Sequence, residues 1–313
     1  MVELRNVTKV YRTGAFGRGK LTAVEGVTFK LEHGKVISLI GESGSGKSTI
    51  GRMILKLIST TSGQIMLDGK DIAALKGRAL KNYYKSVQGV FQDPFSTYNP
   101  IFKADRIFDI IRAEYFGSMK SRNWREKVNS SLQSVGLAPE QVLNKFPHQL
   151  SGGQLQRLLI ARALLMEVDI LIADEIISML DASTRVDVLN LLIELKDRGL
   201  SILFITHDLS LGYYISDYVV ILYRGSIAEM GDTERVFYNP IHPYTRMLLT
   251  SVPRLDKKWG ESEAEFAETQ ESSEELLQER CKYYDRCPFG DERCKQMVLT
   301  EVEEDHYTTC ARR

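Results

Sequence analysis

An α/β fold is predicted for this chain of 313 residues by three observations. The segment KVISLIGESGSGKSTIGRMILKLI, from Lys35, is an apolar run, then a glycine-rich turn, then apolar residues at helical spacing, so strand, loop and helix follow in order. DILIADE, from Asp169 to Glu175, is a buried-strand pattern that ends in two acids. SILFITHD, from Ser201, is another apolar strand, ending at a histidine and an aspartate. An open parallel sheet binds its ligand at the carboxyl ends of its strands, and that is where each run places its chemistry-bearing residues.

Composition narrows the class without identifying a partner. With 43% hydrophobic residues the chain can bury a large core, as one big domain or two smaller ones. Lys plus Arg equals Asp plus Glu at 41 each, so net charge recruits neither nucleic acid nor anionic lipid. The N-terminus carries Glu3, Arg5, Asn6 and Lys9, which leaves no apolar run of signal-peptide length. The most apolar region is interrupted by Arg162, Glu167, Asp169, Asp174 and Glu175, so no membrane span is expected. A soluble, cytosolic chain is the expectation. Glu261 to Glu275, with seven glutamates in fifteen residues, reads as a solvated linker or exposed helix.

Gly41 to Ser48 fits the phosphate-loop pattern G-x4-G-K-[ST] without a mismatch. Glycines at 41, 44 and 46 let the backbone curl so that its N–H groups and the helix N-terminus face a phosphate chain. Lys47 neutralises the β- and γ-phosphates and Ser48 ligates Mg2+, which makes Gly41, Ser43, Gly44, Ser45, Gly46, Lys47, Ser48 and Thr49 the expected ATP-binding set. A chance glycine-rich turn is the plain alternative, and the strand before it and helix after it argue against that. Asp174 is expected to hold the Mg2+ and Glu175 to polarise the attacking water.

The residues Leu150-Ser-Gly-Gly-Gln154, followed by LQRLLIARALL, resemble the signature motif of the ATP-binding cassette (ABC) ATPases. Ser151, Gly152 and Gly153 open a helix, so their hydroxyl and N–H groups form a further anion site. The resemblance implies a P-loop NTPase (RecA-like) ABC nucleotide-binding domain with an antiparallel β subdomain and a helical subdomain. It also implies a dimer in which Ser151 to Gln154 of one subunit close over the γ-phosphate held by the other. Further positions match the family. Tyr11 matches the aromatic that stacks on adenine, and Gln92 the glutamine that senses Mg2+ and links to the transmembrane partner. His207 matches the switch histidine that contacts the γ-phosphate, and Ser178 and Asp181 the loop that reaches across the dimer. One position departs: Ile176-Ile177 stands where the family usually has Pro-Thr directly after the catalytic glutamate, which removes a fixed φ beside it.

The stretches FQDPFSTYNP, VGLAPEQVLNKFPHQLSGGQ and YNPIHPYTRMLLTSVP look like the ATPases of dipeptide and oligopeptide importers, a group that includes nickel and oligosaccharide importers. On this resemblance residues 1–237 are the nucleotide-binding domain, with a helical insertion at about 93–149, and residues 238–313 are a C-terminal extension. Helical spacing is visible inside the insertion in ADRIFDIIRAEYF and WREKVNSSLQSVGL. Asn239-Pro240 and His242-Pro243 also have a simple reading as turn residues. The implied partners are a paralogous ATPase subunit, two transmembrane permease subunits and, indirectly, an extracytoplasmic solute-binding protein. Nucleic acid is not among them, and the implied place is the cytoplasmic face of the membrane. A soluble ABC ATPase of translation or DNA repair is the alternative; tandem cassettes or a long coiled-coil insertion would mark it, and neither is visible.

All four cysteines lie in the last thirty-three residues, at Cys281, Cys287, Cys294 and Cys310. In a reducing compartment disulfides are disfavoured, which leaves metal. The spacing lacks the close Cys pair of structural zinc sites, whereas four thiolates are also the ligand set of a [4Fe-4S] cluster. Spacing alone leaves both open. Peptide-importer ATPases carry an extension of similar layout after the HPYT segment and some bind an iron-sulfur cluster there, so the resemblance implies a [4Fe-4S] cluster on these four thiols, with zinc second. Its expected role is folding and docking, because the few apolar residues of the tail, Tyr283 and Phe289 among them, cannot build a core alone.

Overall fold

The structure is a computed structural model that describes residues 1–14, 19–251, 281–295 and 298–311. The glutamate-rich stretch Glu261 to Glu275, and Met297 in the tail, lie outside the described residues. Two compact units emerge, one of Met1–Ala74 with Phe204–Arg313 and one of Leu75–Leu203.

The first unit begins with β1 (Val2–Thr13) and β2 (Gly19–Leu31), an antiparallel pair in which Val2 faces Leu31 and Tyr11 faces Leu21. β3 (Val36–Ile40) follows, buried along its whole length as a strand covered on both faces must be. Next come α1 (Lys47–Ile54), β4 (Ser62–Leu67) and β5 (Lys70–Asp71). β4 pairs with the free side of β1, giving a small antiparallel sheet in the order β2-β1-β4-β5. Val2, Leu4 and Val7 are buried on β1, and Val24, Val27, Phe29 and Leu31 on β2, so one face of the pair supplies core.

The second unit holds α2 (Gly77–Ser86), β6 (Val87–Val90), α3 (Pro94–Thr97), α4 (Arg106–Tyr115), α5 (Ser121–Gln133) and α6 (Pro139–Val142). After these come α7 (Gly152–Leu165), β7 (Ile170–Asp174), α8 (Ala182–Asp197) and the start of β8 (Ser201–Thr206). β6 and β7 run parallel, with Val90 beside Ala173. The helices expected within 93–149 form as α4 and α5. Trp124, Val128 and Leu132 of α5 are buried at spacing four, the stripe by which a short amphipathic helix is held. α7 is buried nearly all round, through Leu155, Leu158, Leu159, Ile160, Ala161 and Leu165, and so is the core helix of this unit.

The chain re-enters the first unit through the end of β8 and continues as α9 (Leu209–Ile215), β9 (Tyr218–Tyr223), β10 (Ser226–Asp232), α10 (Thr233–Tyr238) and α11 (Pro243–Thr250). It ends with β11 (Thr300–Glu303) and β12 (His306–Thr308). The strands of this unit's main sheet lie in the order β11-β12-β10-β9-β3, with β8 beyond β3. β3 and β9 are parallel, with Ile37 beside Tyr218.

The tail is joined to the domain by strand pairing, aromatic packing and buried hydrogen bonds. β12 pairs antiparallel with β10, so Met230 faces Tyr307, and β11 extends the same edge. Tyr283 is buried against Tyr223 and Tyr244. Glu229 on β10 is fully buried and accepts three hydrogen bonds: from the backbone N–H of Ile241 at 2.8 Å, that of His242 at 3.0 Å, and Nε2 of His306 at 2.7 Å. One side chain thereby fastens both the turn before α11 and strand β12. His242, read from sequence as a turn residue, N-caps α11, with its Nδ1 accepting from the N–H of Tyr244 at 3.1 Å and Pro243 at the first helical position. Glu229→Ala leaves three donors, two of them buried, without an acceptor, and urea denaturation is expected to show a loss of about 3–5 kcal/mol. Val298→Ala, at a position 71% exposed, is expected to change stability by less than about 0.5 kcal/mol.

Candidate functional site

The loop between β3 and α1 is shaped by what surrounds it. A Cβ on Gly41 would lie 2.2 Å from the carbonyl oxygen of Leu222, so only glycine lets the loop leave β3 against β9. Gly46 has φ +99°, and a Cβ there would lie 2.4 Å from the carbonyl of Ala23. The N–H of Gly225, in the β9–β10 turn, donates to the carbonyl of Ser45 at 3.1 Å. Two backbone segments thus brace the loop from outside.

Lys47 opens α1, and its ammonium is buried, donating to the carbonyls of Gly41 at 2.7 Å and Glu42 at 2.8 Å. These bonds keep the positive charge over the loop while Ser43 and Gly44, at the tip, stay exposed. Ser45 is buried, and Ser48 and Thr49 lie half-buried on the first turn of the helix, the end whose dipole favours an anion. The hydroxyl of Ser48 is a hard oxygen of the kind that suits Mg2+.

On β1, Tyr11 is half-buried, and the ammonium of Lys9 stands 5.2 Å from the centre of its ring. His207 is exposed just past the end of β8. Asp208 after it caps α9, accepting from the N–H of Ser210 at 2.8 Å and of Leu211 at 3.3 Å. The histidine is therefore presented on a backbone fixed at both ends.

In the second unit Gln92 is exposed beyond the end of β6, and Asp93 beside it caps α3 by accepting from the N–H of Phe95 at 2.9 Å. Ser151 caps α7 reciprocally with Gln154: its Oγ accepts from the N–H of Gln154 at 3.2 Å, and the amide oxygen of Gln154 accepts from the N–H of Ser151 at 3.0 Å. Gly152 and Gly153 then form the first two helical positions. Asp174, the last residue of β7, is buried, and its carboxylate is the second donor type that suits Mg2+. Glu175 has φ +50°, an uncommon conformation for a residue with a side chain and of the kind stored at functional sites.

The loop after Glu175 shows what replaces the missing proline. Ile176 and Ile177 are both buried, so the pair anchors the loop by packing. The Oγ of Ser178 donates to the carbonyl of Glu175 at 2.9 Å, and Arg185 reaches back from α8 to the carbonyl of Leu180 at 2.8 Å. Asp181, expected in the loop that reaches across the dimer, has both carboxylate oxygens engaged in capping α8. It accepts from Ser183 Oγ at 2.6 Å, Thr184 N–H at 3.0 Å and Thr184 Oγ1 at 2.8 Å, bonds that hold it well below the usual carboxylate range.

The cysteines gather around the tail's entry to the first unit. The N–H of Cys281 donates to the carbonyl of Cys294 at 2.9 Å, and Cys281 and Cys287 pack on the Tyr223–Tyr244–Tyr283 cluster. Because Nδ1 of His242 accepts from an amide, Nε2 carries the proton and donates to the sulfur of Cys281 at 3.6 Å. Burial pushes the Cys281 thiol up to about 12, and Cys294, Cys287 and Cys310 add to it as neighbouring thiols do. No three His, Cys, Asp or Glu side chains among the described residues are arranged to hold a metal ion, so the expected ligand quartet is present as neighbours and not as a formed single-ion site. Sequence reading missed Glu42, Tyr244 and Arg286: the N–H of Glu42 donates to Tyr244 Oη at 3.0 Å, and Arg286 pairs with its carboxylate at 3.2 Å. Nothing local marks residues 202 and 244 positions apart as partners.

Two family descriptions match the chain: "ABC transporter" over residues 24–178 and "Oligopeptide/dipeptide transporter, C-terminal region" over residues 228–294. The oligopeptide transport ATP-binding protein AppF of Bacillus subtilis is 39% identical over 99% of this chain and 96% of its own length. OppF of Escherichia coli is 36% identical over 93% of this chain and 87% of its own. Among solved structures, the dimeric post-hydrolysis ATP-binding cassette MJ0796 with ADP and Pi aligns with TM-score 0.66 and 30% identity, covering 74% of this chain and 99% of that one. The fold is that of an ABC nucleotide-binding domain, and the chain belongs to the ATP-binding subunits of oligopeptide and dipeptide ABC importers.

Proposed function

We propose how this importer ATPase divides its chemistry among its residues. The observation that carries the reading is the braced loop of Gly41 to Ser48 with the Lys47 ammonium held over it. Loop N–H groups and Lys47 bind the β- and γ-phosphates of ATP, Tyr11 stacks on the base, and Ser48 and Asp174 offer oxygens to Mg2+. Bound Mg2+ neutralises charge on the phosphate chain. Glu175 orients and deprotonates the attacking water, and His207 and Gln92 contact the γ-phosphate and its metal. Ser151 to Gln154 act on a nucleotide held by a second subunit, which fits the dimer of the related cassette. That second subunit is a paralogue, and residues 1–237 are the motor while 238–313 are the extension peculiar to this branch.

The subunit works with permease subunits and a solute-binding protein. No helix among the described residues is long and apolar enough to cross a membrane, which suits peripheral attachment at the cytoplasmic face. Peptide is the cargo class, in line with the named relatives. The four cysteines suit a [4Fe-4S] cluster, since it takes one thiolate per iron and all four thiols share one neighbourhood.

Lys47→Ala is expected to weaken ATP binding by about 10- to 100-fold. Glu175→Gln is expected to keep nucleotide affinity and to lower phosphate release, measured in the assembled transporter, by about 100-fold or more. Equal turnover in the Glu175→Gln enzyme removes that residue from the role of general base. Anaerobically purified protein is expected to contain iron and acid-labile sulfide with visible absorption. One zinc per chain and no sulfide overturns the cluster.

A further inference from the structure

Glu42, the second residue of the phosphate loop, is the point where the C-terminal segment meets the nucleotide site. Its N–H donates to Tyr244 Oη at 3.0 Å, its carboxylate accepts from Nη1 of Arg286 at 3.3 and 3.2 Å, and its carbonyl accepts from Lys47 Nζ at 2.8 Å. Tyr244 is fully buried on α11. Arg286 lies in the single helical turn Tyr284–Arg286, directly before Cys287. Between them the rings of Tyr223, Tyr244 and Tyr283 form one cluster with centroids 4.6 to 5.4 Å apart, and the Arg286 guanidinium lies 5.8 Å from the Tyr283 ring. Lys282 adds a second tie, to Glu25 on β2 at 2.8 Å.

We propose that Tyr244 and Arg286 are positioning residues of the nucleotide site: they hold Glu42, and through its carbonyl the ammonium of Lys47, in the place from which Lys47 meets phosphate. The inference rests on the reading of Gly41 to Ser48 as the phosphate loop. Its physical basis is preorganisation. A loop whose second residue is tethered by two groups from outside has fewer conformations to lose when it closes on a ligand. Neither tether touches the nucleotide, so losing one lowers affinity without changing the bond-breaking step, the signature of removed uniform binding. The two tethers differ in kind. The Tyr244 bond is an amide-to-phenol hydrogen bond beneath a buried ring. The Arg286 pair, with both side chains about a third exposed or more, is discounted by solvent screening.

The test uses the full-length chain, with ATP and ADP binding measured by equilibrium titration and steady-state hydrolysis measured in the assembled transporter. Tyr244→Phe, which keeps the ring, and Arg286→Gln are each expected to raise the nucleotide Kd and the KM for ATP by about three- to tenfold with kcat unchanged. Arg286→Lys is expected to recover part of the loss. Glu42→Gln/Arg286→Gln is expected to be no worse than the weaker single variant, because both remove one interaction. Wild-type Kd and KM in Tyr244→Phe and Arg286→Gln overturn the proposal, as does a fall in kcat at unchanged KM, which is what mere misfolding of a fraction of the protein gives. Lys47→Ala separates the two layers. Wild-type nucleotide affinity in that variant strikes the phosphate-loop reading itself, whereas lost binding there beside intact binding in the tether variants strikes only the inference.

Discussion

The structure of the first unit depends on a close approach of backbone to backbone at the phosphate loop. At Gly41 and Gly46 the loop passes so near the carbonyls of Leu222 and Ala23 that neither position has room for a side chain. The N–H of Gly225 meets the carbonyl of Ser45, and Lys47 bridges the carbonyls of Gly41 and Glu42 from within. A loop that must present N–H groups to an anion cannot spend them on its own secondary structure, so its rigidity has to come from neighbours. β9, its turn into β10 and strand β2 are those neighbours. The placing of β9 beside β3 is thus part of what shapes this loop.

The same division between presenting and supporting groups recurs in the second unit. Glu175 sits at positive φ, and the residues after it hold that conformation by different means. A proline would fix the backbone by covalent restraint. Here two buried isoleucines and the Ser178 hydrogen bond do so by packing and closure. Asp93, Ser151 and Asp181 likewise spend their side chains as helix caps, and each thereby fixes the start of a helix beside a residue assigned to catalysis or to nucleotide contact.

The C-terminal segment shows how a short, charged tail is built into a domain. Its own apolar residues are too few for a core. It borrows one instead: Tyr283 completes an aromatic cluster with Tyr223 and Tyr244, and β12 pairs with the edge left open by β10. Glu229 locks the arrangement from inside by taking three donors from two segments, the turn before α11 and β12. The thiols of Cys281 and Cys287 lie against this cluster.

Residue type and spacing alone were enough to find the phosphate loop, the acid pair at the end of β7, the helix-opening Ser151-Gly-Gly and the strand and helix types around them. Each is a local pattern whose chemistry and spacing lie within about ten residues, so period and residue type suffice. The kinship to importer ATPases was legible for the same reason, in short local stretches. Tertiary packing was needed to show that Ile176 and Ile177 are buried anchors and that Glu42 is held by Tyr244 and Arg286. The physical reason is range. Burial and pairing between residues far apart in the chain are set by which strand edges and helix faces meet, and no local spacing encodes that.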